Sequence, residues 1–269
     1  MSKQLSIAIA GVAGRMGRQL VGVALDRSHT ITGGTEQADS PALRTDLGTL
    51  AGTEPLGRTP TADLAAATKR ADTWIDFTRP AATLTALNAL QDTSVKTVII
   101  GTTGFSEAEE SAIAAHAKRY AIVKAGNFSL GIALLSALVK TAAARLGPDW
   151  DVDIFEAHHR HKVDAPSGTA LMLGAAAAAG RGSPLSAVKS PPYDGPDAQR
   201  KPGEIGFAVS RTGGVIGEHD VHFASETERL TLSHSALDRR VFAEGALKAA
   251  EWAANRPAGL YGIEDVLGL

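Results

Sequence analysis

Short apolar runs alternate with helical patterns through the first half of the chain. Ser106 and Glu109 form an S-x-x-E capping box, which predicts that a helix begins there. Strands that alternate with helices indicate an α/β fold with a Rossmann-like, doubly wound parallel sheet. The predicted strands cover residues 5–10, 31–35, 73–77, 95–100 and 121–124, and the helices between them include 81–90 and 106–119.

The pattern changes after residue 130, where strands begin to follow one another without crossover helices. Ile205, Phe207 and Val209 alternate with smaller or polar residues, as on a strand with one apolar face. This pattern predicts a second, α+β domain that contains an open mixed or antiparallel sheet. Its predicted elements are helices at 130–146 and 170–179 and strands at 151–156, 204–211, 220–224 and 228–235.

The end of the chain predicts one more helix, which Asp238 can cap and which stops before Pro257. Residues 183–203 are rich in Pro and Gly and are predicted to form a long surface loop.

Composition excludes several classes of protein. The 269 residues are 44% hydrophobic and carry a formal net charge of −2, so no global basic field favours nucleic acid as a partner. Because the chain has no Cys, thiolate catalysis and Cys-ligated metals are excluded. No apolar run is long enough for a membrane span, and the first one leads directly into a glycine loop rather than a signal-peptide cleavage site. We therefore expect a soluble, cytoplasmic protein without a membrane partner.

A glycine loop follows the first predicted strand. Gly11, Gly14 and Gly17 form G-x-x-G-x-x-G, which differs from the strict G-x-G-x-x-G dinucleotide motif because Ala13 stands at its second glycine position. Glu36 follows the second strand, where a carboxylate can bind the hydroxyl groups of an adenosine ribose. The pattern predicts a dinucleotide site; a plain strand-to-helix turn is the alternative.

A basic loop between residues 158 and 169 carries the strongest candidate chemistry. His158, His159 and Lys162 stand within five positions of one another, and Ser167 precedes an alanine-rich helix whose first amides, at Gly168 and Thr169, are free to bind an anion. These residues predict carboxylate binding together with proton donation. The alternatives are a solvated basic loop and a zinc site, and we predict no metal because Cys and the H-E-x-x-H spacing are both absent.

The sequence of this loop, E-A-H-H-R-H-K-V-D-A-P-S-G-T-A-L, closely resembles the signature of the dihydrodipicolinate reductases, also called 4-hydroxy-tetrahydrodipicolinate reductases, of lysine and diaminopimelate biosynthesis. Further segments resemble the same family in the same order, so the resemblance covers nearly the whole chain. These segments are residues 11–17, 76–78, 101–104, 127–129 and 217–219.

The resemblance implies a conjugate reduction of a cyclic unsaturated imine dicarboxylate by NADH or NADPH. His158 matches the family's proton donor and Lys162 its second catalytic residue, while His159, Gly168 and Thr169 would bind the carboxylates. It also implies a homotetramer in which residues 1–129 and 239–269 form the dinucleotide-binding domain and 130–238 the substrate-binding and oligomerisation domain. The implied cofactor-binding residues are Gly11, Val12, Ala13, Gly14, Arg15, Met16, Glu36, Gln37, Gly101, Thr102, Thr103, Ala125, Gly126, Asn127 and Phe128.

The pair Glu36 and Gln37 bears on the choice of cofactor. Relatives often have an arginine beside the acidic residue, and Gln37 offers no positive charge to a ribose 2′-phosphate. We therefore expect NADH to be used at least as well as NADPH. Two other functions stay open at this point: a related amino-acid dehydrogenase and a nucleotide sensor without catalysis, although a sensor would not need the basic loop.

Overall fold

The computed structural model describes residues 4–196 and 198–269. By its internal contacts the chain divides into two compact units: one ends at Ser129 and includes Arg240–Gly268, and the other is Leu130–Arg239. The strands are β1 Ser6–Ala10, β2 Thr30–Thr35, β3 Thr73–Asp76, β4 Thr97–Ile100, β5 Ala121–Lys124, β6 Asp151–His158, β7 Ile205–Arg211, β8 Glu218–Ala224, β9 Arg229–Ser235 and β10 Gly259–Tyr261.

The helices are α1 Arg15–Asp26, α2 Leu47–Ala51, α3 Leu64–Thr68, α4 Pro80–Ala89, α5 Glu107–His116, α6 Leu130–Leu146, α7 Gly168–Gly180, α8 Leu185–Val188, α9 Arg240–Ala253 and α10 Ile263–Leu267, with short 3₁₀ turns at Pro41–Arg44 and Leu90–Asp92. The longer helices follow the sequence patterns, whereas the short helices α2, α3, α8 and α10 were not predicted, and α8 lies within the predicted loop 183–203. Among the described residues, no helix is long and apolar enough to cross a membrane.

The first unit is built on a six-stranded sheet in the order β10-β5-β4-β3-β1-β2. All neighbouring strands are parallel, which confirms the predicted doubly wound sheet. The order reverses between β1 and β3, the place where open α/β sheets bind ligands. Strand β10 was not predicted. Its three residues are too few to show a periodic pattern, so only their pairing with β5 defines the strand.

Helix starts in the first unit agree with local sequence signals. The capping box of Ser106 and Glu109 is formed at α5, so that prediction is confirmed. Helix α9 begins at Arg240, two residues beyond the predicted cap Asp238, and packs against α1. Glu251 of α9 and Arg27 at the end of α1 form an ion pair of 3.0 Å, which ties the last long helix to the first.

The second unit contains a four-stranded sheet in the order β7-β6-β8-β9. Strands β6 and β7 are parallel and the other pairs are antiparallel, so the predicted mixed sheet is confirmed. Helices α6 and α7 pack on one face, where Ile154, Val221 and Phe223 are fully buried. On the opposite face Phe155 is 41% exposed and its ring lies 4.5 Å from that of His222.

Candidate functional site

The loops predicted to bind cofactor lie at one edge of the parallel sheet. The register pairs Ile9 with Ile75, and it aligns Asp76 with Ile100 and Ile100 with Lys124. The four segments that follow β1, β3, β4 and β5 therefore all leave the sheet at its carboxyl edge. This edge is where ligands of doubly wound folds bind.

The glycine loop after β1 has a backbone that side chains would block. Gly11 has a φ of +57°, which favours glycine. A Cβ on Gly17 would lie 2.5 Å from the carbonyl oxygens of Gly11 and Val12, so only glycine lets α1 approach the loop this closely. The result is a helix N-terminus held directly against the end of β1, which is the geometry that binds a pyrophosphate.

A cavity of about 830 Å³ opens beside this loop and is confined to the first unit. The carboxylate of Glu36 accepts a hydrogen bond of 2.7 Å from the amide of Ala13, which joins the end of β2 to the glycine loop. Arg79, at the cap position of α4, adds a cation to the same cavity. The predicted cofactor residues that line it are Gly11, Ala13, Gly14, Glu36 and Gln37.

Buried hydrogen bonds fix the loop after β4. Thr102 Oγ1 accepts hydrogen bonds of 3.0 Å from the amide of Thr78 and from Thr83 Oγ1, and it lies 3.3 Å from Asp76 Oδ1. Burial raises the pKa of Asp76, although hydrogen bonds from Thr78 partly oppose that rise. This cluster holds the backbone of residues 101–103 against the end of β3.

The other predicted cofactor residues lie outside the lining of the cavity. Val12 and Phe128 are almost completely buried. The ring of Phe128 packs on Phe77 at a centroid distance of 5.4 Å, and Asn127 Oδ1 accepts a hydrogen bond from the amide of Ser129. Arg15, Met16, Gly101, Thr103, Ala125 and Gly126 occupy the first turn of α1 and the loops that follow β4 and β5.

In the second unit, His158 is the last residue of β6 and its side chain is only 10% exposed. Its Nδ1 lies 2.5 Å from Oε2 of Glu156, whose side chain is fully buried. Arg211 donates to both carboxylate oxygens of Glu156, at 2.9 and 2.8 Å, and the amide of Ser167 donates to Oε1 at 2.9 Å. The candidate proton donor is thus anchored through one ring nitrogen.

A second histidine lies edge-on to the first. The rings of His158 and His219 are 5.2 Å apart at 76°, and Ser167 Oγ lies 3.2 Å from His219 Nε2. Burial, followed by the positive charge of His158, lowers the pKa of His219 to about 4. His219 is therefore neutral at neutral pH.

The basic loop continues from β6 to α7. Lys162 Nζ forms an ion pair of 2.8 Å with Asp164. Desolvation, followed by the positive charges around His159, lowers the pKa of that imidazole. Ser167 caps α7 by accepting from the amide of Ala170, so the residues that follow it, Gly168 and Thr169, form the first turn as predicted. Groups of three or more His, Cys, Asp or Glu placed to hold a metal ion are absent from the described residues.

The sequence assigned no role to Glu156, Arg211 or His219, and it placed Ser167 only at the start of the alanine-rich helix. Glu156 and Ser167 belong to the signature, and His219 to a shorter matching segment, but their types do not reveal their contacts. Sheet register brings the network together, because β7 places Arg211 beside His158 and β8 places His219 beside Glu156. Only the alternation along β6, which puts Glu156 and His158 on the same face, was available as a signal.

Comparison with known proteins decides the family. Residues 5–128 match the family description "Dihydrodipicolinate reductase, N-terminus", and residues 131–267 match "Dihydrodipicolinate reductase, C-terminus". The chain belongs to the dihydrodipicolinate reductase family. The family predicted from the sequence is confirmed, and with it an oxidoreductase of diaminopimelate and lysine biosynthesis.

Relatives within the dihydrodipicolinate reductase family align over their full length. The chain is 51% identical to the 4-hydroxy-tetrahydrodipicolinate reductase of Parvibaculum lavamentivorans, and 48% identical to that of Dinoroseobacter shibae, with 100% of each chain covered. Among solved structures it is similar to the dipicolinate-bound dihydrodipicolinate reductase of Paenisporosarcina sp. TG-14, with a TM-score of 0.76 and 25% identity over 98% of this chain and 99% of that one. An amine dehydrogenase of Mycobacterium smegmatis shares the fold, with a TM-score of 0.67 and 14% identity over 97% and 96% of the two chains.

Proposed function

We propose that the chain reduces 4-hydroxy-tetrahydrodipicolinate, or the dihydrodipicolinate formed from it by loss of water, to tetrahydrodipicolinate with NADH or NADPH. The observation that carries this proposal is the anchored His158, at the end of β6 and beside the capped N-terminus of α7. Relatives of about 50% identity over the whole chain bear the name of the same reductase, which supports the same assignment.

The first unit fits a dinucleotide. Its glycine loop is a cradle that a Cβ on Gly17 would fill, and the adjoining cavity offers Glu36 to ribose hydroxyls. The loops after β4 and β5 leave the same edge of the sheet and would hold the nicotinamide. We assign this unit to cofactor binding and residues 130–238 to substrate binding.

The chain's own residues supply the proton, stabilise the developing charge and bind the substrate carboxylates. A bound reduced nicotinamide would supply the hydride. Hydride addition to the electrophilic end of the conjugated imine would leave an electron-rich carbon that requires one proton. His158 donates it from Nε2, since its Nδ1 is directed to Glu156. Lys162 stabilises the developing negative charge, and His159, Gly168 and Thr169 bind the substrate carboxylates.

The assembly proposed for the protein is a cytoplasmic homotetramer built through residues 130–238. The support is the exposed face of the mixed sheet, where the partly exposed Phe155 lies on His222 while α6 and α7 cover only the opposite face. A sheet with one unpacked face can bury it against a second copy of the same chain.

The central test is turnover of His158→Ala and Lys162→Ala with freshly generated substrate, followed by nicotinamide absorbance. General acid–base contributions are about 10²–10⁴-fold, so both variants should lose activity by that order while their dissociation constants for NADH stay unchanged. His116→Ala and Lys118→Ala, both on or next to α5, are matched controls that should retain activity. Near-normal turnover of both loop variants would contradict the mechanism, and turnover by the wild type contradicts a sensor without catalysis.

A further inference from the structure

Glu156 is a buried carboxylate at the centre of the second unit's polar network. Its side chain has no exposed surface, and it lies two residues from the fully buried Ile154 on the same face of β6. Moving a carboxylate out of water costs several kcal/mol, typically about as much as one good ion pair returns. Stability alone is therefore a weak reason for a buried Glu156, and its contacts point to a different role.

The contacts of Glu156 determine its protonation. Burial raises the pKa of this carboxyl, but the hydrogen bonds from Arg211, from His158 and from the amide of Ser167 outweigh burial, so the pKa lies below its usual value. At neutral pH Glu156 is ionised and can only accept hydrogen bonds. The proton in its 2.5 Å contact with His158 therefore resides on Nδ1 of the histidine.

Nε2 is the ring nitrogen of His158 that remains for chemistry. A Cβ on Gly217 would lie 3.2 Å from this atom, so glycine at that position leaves the nitrogen uncrowded. With Nδ1 protonated, Nε2 carries a proton only in the imidazolium form, which is the form that donates. An anionic carboxylate bonded to Nδ1 stabilises that form.

Other charged and titratable groups surround the pair from each neighbouring element. Arg211 of β7 binds Glu156 and also donates to the carbonyl oxygen of Asp164. On β8, His219 is neutral, and on β9 burial lowers the pKa of His234. His159 and Lys162 follow in the loop, but Lys162 is paired with Asp164.

We propose that Glu156 is a positioning residue of the reductase reaction: held by Arg211 and Ser167, it fixes His158 with Nδ1 protonated and stabilises the imidazolium that donates from Nε2. The inference rests on the proposed function, because it assumes that His158 is the proton donor. After donation the imidazole is neutral, its remaining proton stays on Nδ1 and is hydrogen-bonded to Glu156, and solvent returns a proton to Nε2. Glu156 itself never gains or loses one.

The first measurement needs no variant of Glu156. Nitrogen-15 NMR of the wild-type protein, with the signals of His158 identified by their loss in His158→Gln, reports which ring nitrogen is protonated in the neutral form. We expect Nδ1. A neutral His158 that carries its proton on Nε2 would overturn the proposal.

The second measurement is the pH dependence of kcat for the wild type, Glu156→Gln and Glu156→Asp. In Glu156→Gln, the neutral amide no longer pairs with a protonated His158, so the alkaline limb of kcat should move to lower pH and kcat should fall by about 10- to 100-fold. The KM should change by less than about threefold. Glu156→Asp keeps the charge and should keep the alkaline limb of the wild type.

The matched control is Glu251→Gln, since Glu251 also contacts a buried histidine and an arginine, His29 at 3.1 Å and Arg27 at 3.0 Å, in the first unit. It should lower stability without moving the pH profile. If Glu156→Gln does not fold because Arg211 has lost its carboxylate partner, the double variant Glu156→Gln/Arg211→Gln removes both charges of the pair and should show the same shift.

The outcomes separate the two proposals. A Glu156→Gln enzyme whose kcat falls at every pH without any shift of the limb would make Glu156 merely structural and overturn the positioning role. Wild-type protein that fails to reduce the substrate would overturn the proposed function and the catalytic part of this inference, while the NMR result would still establish or reject the Glu156–His158 pairing.

Discussion

The residue at position 37 predicts which nicotinamide dinucleotide the protein prefers. Glu36 and Gln37 both line the cavity beside the glycine loop, and Glu36 is held there by the amide of Ala13. In NADH both ribose hydroxyls can donate to Glu36. In NADPH the same carboxylate faces a phosphate, and the neutral Gln37 does not offset the repulsion. We expect Gln37→Arg to improve binding of NADPH and to leave that of NADH nearly unchanged.

The size of the effect follows from the exposure of the site. A hydrogen bond to a charged group contributes about 1.5–3 kcal/mol when it is shielded from water. Residue 37 is exposed, and exposed ion pairs contribute only about 0–1 kcal/mol. An arginine–phosphate contact can use two donors. We therefore expect a gain of about 1.5 kcal/mol, the lower end of the range for a shielded bond, which is about tenfold in the dissociation constant for NADPH.

The assay compares dissociation constants and KM values for NADPH and NADH in the wild type and in Gln37→Arg. Raising the salt concentration should reduce the gain for NADPH, because screening weakens exposed charge pairs. Gln91→Arg is the matched control: it adds the same charge to the same unit, in the 3₁₀ turn Leu90–Asp92 that precedes β4. It should leave both cofactors unaffected.

Two results would refute this reasoning. A wild-type enzyme that strongly prefers NADPH would show that another cation already holds the 2′-phosphate, and Arg79 is the lining residue that could do so. Arg79→Gln would then weaken NADPH selectively. An unchanged ratio of NADPH to NADH affinity in Gln37→Arg would show that the side chain at 37 does not reach the ribose.

Three further predictions concern ligand binding, packing and pH. Pyridine-2,6-dicarboxylate should compete with the substrate, as its two carboxylates suit the basic loop, and insensitivity at millimolar concentration would count against that loop. Gly17→Ala should weaken cofactor binding and destabilise the fold by about 1–3 kcal/mol, because the new Cβ meets backbone oxygens at 2.5 Å. Gly22→Ala on the same helix is the control and should be tolerated, since its Cβ meets nothing within 4 Å. Equal calorimetric melting temperatures of the two variants would argue against this prediction. Hydrogen bonds from the backbone, that of Leu56 first, lower the pKa of Asp46 to about 2, so its stabilisation is complete above its ordinary value of 3.8 and is lost as the pH falls towards 2. Asp46→Asn should remove this part of the acid sensitivity in urea titrations, and an identical pH dependence in both proteins would show that Asp46 does not carry it.

The sequence alone determined the elements and much of the candidate chemistry. Helix α6 and strand β5 have their predicted bounds, because long apolar periodicity and a short run of β-branched residues are local properties. The glycine loop and the start of α7 after Ser167 were predicted for the same reason, since backbone conformation and helix starts depend on nearby residues. The family followed from motifs in a fixed order along the chain.

Tertiary structure decided how the candidate groups are held. Arg211 follows Glu156 by 55 positions, and only the parallel register of β6 with β7 brings its guanidinium onto that carboxylate. A slip of one residue in this register would turn Arg211 to the other face of the sheet, and local sequence does not fix such a register. The contact of Glu36 with Ala13 and the pairing of β10 with β5 likewise join distant segments. Residue types and local backbone geometry could thus be predicted from the sequence. The ionised state of Glu156, the hydrogen bond of His158 Nδ1 to it and the neutral state of His219 depend on contacts that form only when the sheet brings distant strands together.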